Sequence, residues 1–72
     1  MSNYYDCDIS ERVIEELLKL GDTPREIASR VKCSRQLIHH YLTGTIPGTI
    51  FMKRLCEAGC DVSYILTGER HV

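Results

Sequence analysis

Apolar residues recur along this chain at steps of three and four, and glycines punctuate them. Ile9, Val13, Ile14, Leu17, Leu18 and Leu20 mark one face of a first helix, about residues 9–20, with Glu11, Arg12, Glu15, Glu16 and Lys19 between them. Asp8 stands where it can cap the start, and Gly21 suits a left-handed exit. Thr23-Pro24-Arg25-Glu26 signals a second start. The Thr23 hydroxyl can accept from the Glu26 amide while Glu26 reaches back to the amide of Thr23, and Pro24 falls at the first helical position, where its missing N–H costs nothing. Helix 2 then covers 24–31, with Ile27, Ala28 and Val31 inward.

Lys32-Cys33 breaks the pattern, and Ser34 caps a third helix, about 35–43, carrying Ile38, Tyr41 and Leu42 on one side and ending before Gly44. Thr45-Ile46-Pro47-Gly48 reads as a loop. Thr49 is expected to cap helix 4, about 50–58, with Phe51, Leu55 and Ala58 inward. Asp61 caps a short fifth helix, about 61–67, with Val62, Ile65 and Leu66 inward and Gly68 closing it. No alternating strand pattern or internal repeat is present. The chain predicts an all-α fold, a compact bundle of five short helices around a central helix-turn-helix, as one domain over 1–72.

Size narrows the function. A chain of 72 residues buries only about 60% of the surface its unfolded form exposes. A closed catalytic pocket needs more wall than that, and no base, nucleophile and orienting group are arranged together, so no enzyme and no small-molecule substrate are expected. No apolar run approaches a membrane span and no secretion signal opens the chain, so no membrane partner and a cytoplasmic location are expected. Cys7, Cys33, Cys56 and Cys60 lack paired ligand spacing, since Cys56 and Cys60 lie four apart without a second pair. They read as free thiols filling small buried positions, with no metal and no cofactor.

The net charge of −1 hides a pattern. Residues 1–21 carry −3 and residues 55–72 carry −2, whereas 22–54 carry +4 from Arg25, Arg30, Lys32, Arg35, Lys53 and Arg54 against Asp22 and Glu26. The positive middle is where a phosphate-facing surface is expected. Two short helices joined by a tight break allow the second to enter a major groove while the first lies across the backbone. Ala28 leaves room for a close crossing. Ile38 and Tyr41 are expected to pack helix 3 onto helix 2, which leaves Arg35, Gln36, His39, His40 and Thr43 on the far side. Arginine matches the two acceptors of guanine, glutamine pairs both ways with adenine, and histidine can donate or accept. Contacts to backbone phosphate are expected from Lys32, Ser34, Thr43, Thr45 and Lys53.

The stretch TPREIASRVKCSRQLIHHYLTGTIP, residues 23–47, resembles the helix-turn-helix of the lambda-repressor-like family without a gap. Ala28 stands at that family's small alanine, Ser34 at its common cap, Ile38 at its core position and Gly44 at its closing glycine. The tail AGCDVSYILTGER, residues 58–70, is similar to the fifth helix of phage-type repressors. The resemblance implies base contacts from Arg35, Gln36 and His40, with His39 beside them, and phosphate contact from Thr43. It implies a phage- or prophage-type repressor that binds double-stranded DNA at a palindromic operator as a homodimer. Its dimer contact is expected at the C-terminal end, at Tyr64 and Ile65. The family favours glycine in the turn, where Lys32 sits. The acidic start of the chain excludes a basic arm, and Tyr4 and Tyr5 are expected to cover helix 1. The chain fits a complete small regulator or the N-terminal domain of a longer repressor. The alternative is a protein-interaction module on the same fold without DNA binding, which the low net charge favours.

Overall fold

Local capping fixes where most of the helices begin. A computed structural model describes residues 7–70 except the Cys7 side chain, so the expectations for Tyr4, Tyr5 and the Cys7 thiol lie outside the described residues. Five helices follow one another: α1 (Cys7–Leu18), α2 (Pro24–Val31), α3 (Arg35–Leu42), α4 (Thr49–Glu57) and α5 (Val62–Thr67). No strand occurs among the described residues, so the fold is all-α as expected.

At α2 the Thr23 hydroxyl accepts from the Glu26 amide at 3.2 Å, and the Glu26 carboxylate accepts from the amides of Thr23 (3.2 Å) and Asp22 (2.7 Å). The full capping box is present, with Pro24 opening the helix. Ser34 Oγ accepts from the Leu37 amide at 3.1 Å, and Asp61 Oδ1 from the Tyr64 amide at 2.9 Å. Three expectations are corrected. Asp8 lies inside the first turn of α1, because that helix already begins at Cys7. Gly21 is not left-handed; a Cβ there would stand 2.7 Å from the Glu26 Cβ, so its hydrogen serves close approach. Helix α4 begins at Thr49 itself, with Gly48 as a cap that offers no side chain.

The core draws on every helix: Val13 and Leu17 of α1, Ile27, Ala28 and Val31 of α2, Ile38 of α3, Phe51 and Leu55 of α4, Ile65 of α5, with Cys60 beside them. Each large aliphatic buried this way stabilises by about 1.5–3 kcal/mol. Leu18 and Leu66, expected inward, are 55% and 54% exposed, because a bundle this thin covers only one stripe of each helix. Tyr41 packs on Phe51 at 4.2 Å between ring centroids, so it joins α3 to α4. Among the described residues no helix is long and apolar enough to cross a membrane.

Polar contacts close α1 onto α5. Arg12 Nε donates to the Ile65 carbonyl at 2.8 Å. Glu16 is buried (4% exposed), and its carboxylate accepts from the Asp61 amide (2.9 Å), Lys19 Nζ (3.0 Å) and Arg70 Nη2 (2.8 Å). Burial alone pushes this carboxyl up; the Asp61 amide, Arg70 and Lys19 together outweigh it and hold Glu16 below its ordinary value. Arg70 also reaches Glu15 at 3.2 Å and Asp61 at 3.5 Å, and lies 3.8 Å over the Tyr64 ring. The Tyr64 hydroxyl donates to Glu15 at 2.6 Å, which is the main cause of a lowered Glu15 and a raised Tyr64 pKa.

Candidate nucleic-acid interface

The turn between α2 and α3 is built on Lys32, whose φ of 66° places it in left-handed space. There the amides of Lys32 and Cys33 both donate to the Ala28 carbonyl, at 2.7 and 3.1 Å, which ends α2 within one residue. From α4, Arg54 Nη1 donates to the Lys32 carbonyl at 2.9 Å and fixes the turn from outside. Ala28 is 4% exposed, as a close crossing of two helices demands. Ile38 faces the core, and Arg35, Gln36, His39 and His40 are exposed.

Arg35, Gln36 and His39 come together with Thr23, Pro24 and Arg25 around an open groove of about 450 Å³ between α3 and the start of α2. His40 stands one step round the helix, with its ring 5.8 Å from that of Tyr41. Lys32 and Lys53 meet across a second, smaller groove of about 250 Å³ that Arg54 and Glu57 also line. Ser34 is exposed; its oxygen caps α3, and its hydroxyl proton remains to donate. The Thr43 hydroxyl commits its proton to the His40 carbonyl at 2.6 Å, so as placed it can offer a phosphate oxygen no donor. Thr45 is half-buried in the loop.

Positive charge divides by what it already holds. Arg12, Lys19, Arg54 and Arg70 each bond a carbonyl or a carboxylate. The side chains of Arg25, Arg30, Lys32, Arg35 and Lys53 form no hydrogen bond or ion pair among the described residues, and all lie on α2, the turn, α3 or α4. Sequence spacing counted Arg54 with this group and could not see its tie to a backbone carbonyl 22 positions away. It also gave Arg25 no place in the groove, because only the crossing of α2 over α3 puts it there.

Other expectations shift. Ile65 is fully buried, so it cannot meet a second copy; its neighbour Leu66 is the exposed aliphatic of α5. Tyr64 is half-buried and covers α1 through Glu15. Cys60 is a core filler, its thiol pushed up to about 11 by burial and then by Glu16. Cys33 is half-buried and its pKa is raised by burial, whereas Cys56 is exposed and fills no core position. Among the described residues no group of three His, Cys, Asp or Glu is placed to hold a metal ion. Comparison of the chain with protein-family models, with curated proteins and with solved structures found no match.

Proposed function

We propose that the chain is a sequence-specific binder of double-stranded DNA, a repressor that occupies a palindromic operator as a homodimer, with α3 in the major groove and α2 across the backbone. The observation that carries this reading is the division of charge: the basic side chains left unpaired among the described residues lie on α2, the α2–α3 turn, α3 and α4, and those on α1 and after α5 are tied up within the fold. Arg35, Gln36 and His39 then read base edges, with His40 beside them, and Lys32, Ser34 and Lys53 hold phosphates. Thr43 joins them only by releasing the His40 carbonyl, and Thr45 through its half-buried hydroxyl. The dimer contact falls on α5 through Leu66 in place of Ile65, with Tyr64 held by Glu15 and Arg70.

Selection from a random duplex pool tests this. A two-fold repeat with half-sites about one helical turn apart is expected; a single unrepeated half-site would remove the dimer. Arg35→Ala and Gln36→Ala should each weaken binding to the selected site by about 1–3 kcal/mol and relax one base pair. Lys53→Ala should weaken all sequences equally.

One observation favours a protein-interaction module instead. Ile50 is 74% exposed beside an apolar groove of about 500 Å³ formed by Leu37, Tyr41 and Phe51. Absence of any enriched duplex in the same selection would favour that reading.

A further inference from the structure

The donors on the α2 wall of the recognition groove can be accounted for one by one. Pro24 has no N–H. The Thr23 and Glu26 amides are consumed in the capping box, where the Thr23 hydroxyl oxygen accepts and keeps its proton to donate. Arg25 is exposed, and its guanidinium forms no hydrogen bond or ion pair among the described residues. The carboxylate next to it, Glu26, already accepts from the amides of Asp22 and Thr23, and Asp22 makes no ion pair with it. The α2 side of a groove otherwise lined by Arg35, Gln36 and His39 thus presents one uncommitted, permanently charged fork.

We propose that Arg25 holds a backbone phosphate at the mouth of this groove, beside the base pairs that Arg35, Gln36 and His39 read. This rests on the DNA-binding reading above. Arg25 anchors the duplex from α2 while α3 reads it, so one groove carries both a sequence-independent and a sequence-dependent contact. A guanidinium meets a phosphate through two parallel N–H···O bonds, a geometry that suits a wall whose other side-chain donor is the single uncharged hydroxyl of Thr23. Arg30, on the same helix, is also exposed and unpaired; it lines, with Arg25, the groove beside Leu18 and Leu20 at the end of α1, but unlike Arg25 it has no place in the recognition groove. It is the internal control.

The test measures binding of the parent chain, Arg25→Ala and Arg30→Ala to a selected duplex and to an unrelated duplex, from about 50 to 200 mM salt. Arg25→Ala should reduce the slope of log K against log[salt] by about 0.9, which is roughly a 3.5-fold smaller loss over that range. Both duplexes should weaken by the same factor. Arg25→Lys should keep the slope, and Arg30→Ala should leave it unchanged. If Arg25→Ala proves poorly folded by circular dichroism, Arg25→Gln carries the same comparison with chain length preserved. An unchanged slope overturns the assignment and leaves the DNA reading standing. A loss confined to the selected duplex also overturns it, making Arg25 a base reader. Failure of the parent chain to bind any duplex removes the DNA reading, and this contact with it.

Discussion

At φ 66° Lys32 holds a conformation that costs a residue bearing a Cβ roughly 1 kcal/mol or more. The family resemblance of the sequence implies glycine at this position. What it does not display is the Arg54 hydrogen bond to the Lys32 carbonyl, which joins α4 to the turn. Lys32→Gly should therefore raise the thermal midpoint by about 3–6 °C, as expected for roughly 0.5–1 kcal/mol in a chain of this size. A midpoint that stays or falls would mean that the lysine stem stabilises the turn by packing. Gly21 illustrates the opposite limit of sequence reading. Its need for glycine was legible, but the cause is the Glu26 Cβ across a turn, a distance rather than a dihedral.

Among the elements, the starts that were legible are those closed within three residues. Thr23 with Glu26, Ser34 with Leu37 and Asp61 with Tyr64 are bonds between near neighbours, so residue type and spacing suffice to foresee them. The starts of α1 and α4 were displaced by one or two residues, because periodicity identifies a face and leaves the end loose. Thr23→Ala should lower stability by about 1 kcal/mol, read as a lower urea midpoint at unchanged slope. A loss within a few tenths of a kcal/mol would show that Pro24 and the Glu26 bond to Asp22 suffice to start α2. The exposed face of α3 was legible for the same local reason: Gln36 and His40, two positions either side of Ile38, fall on the opposite side of the helix. Arg25 was missed because its place depends on how α2 crosses α3.

On the scale of the whole molecule, charges that looked like solvated faces near the two ends are joined. Arg70 meets Glu16 from 54 positions away, and no spacing rule reaches that far. Glu16 and Glu15 are both held below the ordinary carboxylate range in the folded state. A carboxyl whose folded pKa is depressed adds stability above its unfolded value, near 4.3, and that stability is lost as the pH falls through the folded pKa. Stability should thus be level from pH 7 to about 5 and decline below about 4. Glu16→Gln should cost about 1–3 kcal/mol at pH 7, because a buried carboxylate bonded to the Asp61 amide, Lys19 and Arg70 is replaced by a neutral amide, and should flatten the acid decline. Equal declines in parent and variant, measured by urea denaturation at each pH, would place the acid sensitivity elsewhere. The Tyr64 shift runs the other way: a raised phenol adds stability below about pH 10 and loses it above.

The stitch between α1 and α5 also sets an order of events. Its bonds span 45 to 55 positions, whereas α2 and α3 meet across a turn of a few residues. Closing so long a loop loses chain entropy before any bond rewards it, and the short helical pair does not face that cost. The α2–α3 pair should therefore form in the folding transition state, with α1 and α5 zipped together afterwards. In stopped-flow measurements Glu16→Gln should accelerate unfolding and leave the refolding rate nearly untouched, while Ala28→Gly should slow refolding. Slowed refolding in the Glu16 variant would mean that the ends of the chain meet first. On the expected order, the surface proposed to read DNA is assembled before the domain is closed, and a weakened stitch shortens the lifetime of the folded chain more than it delays its formation.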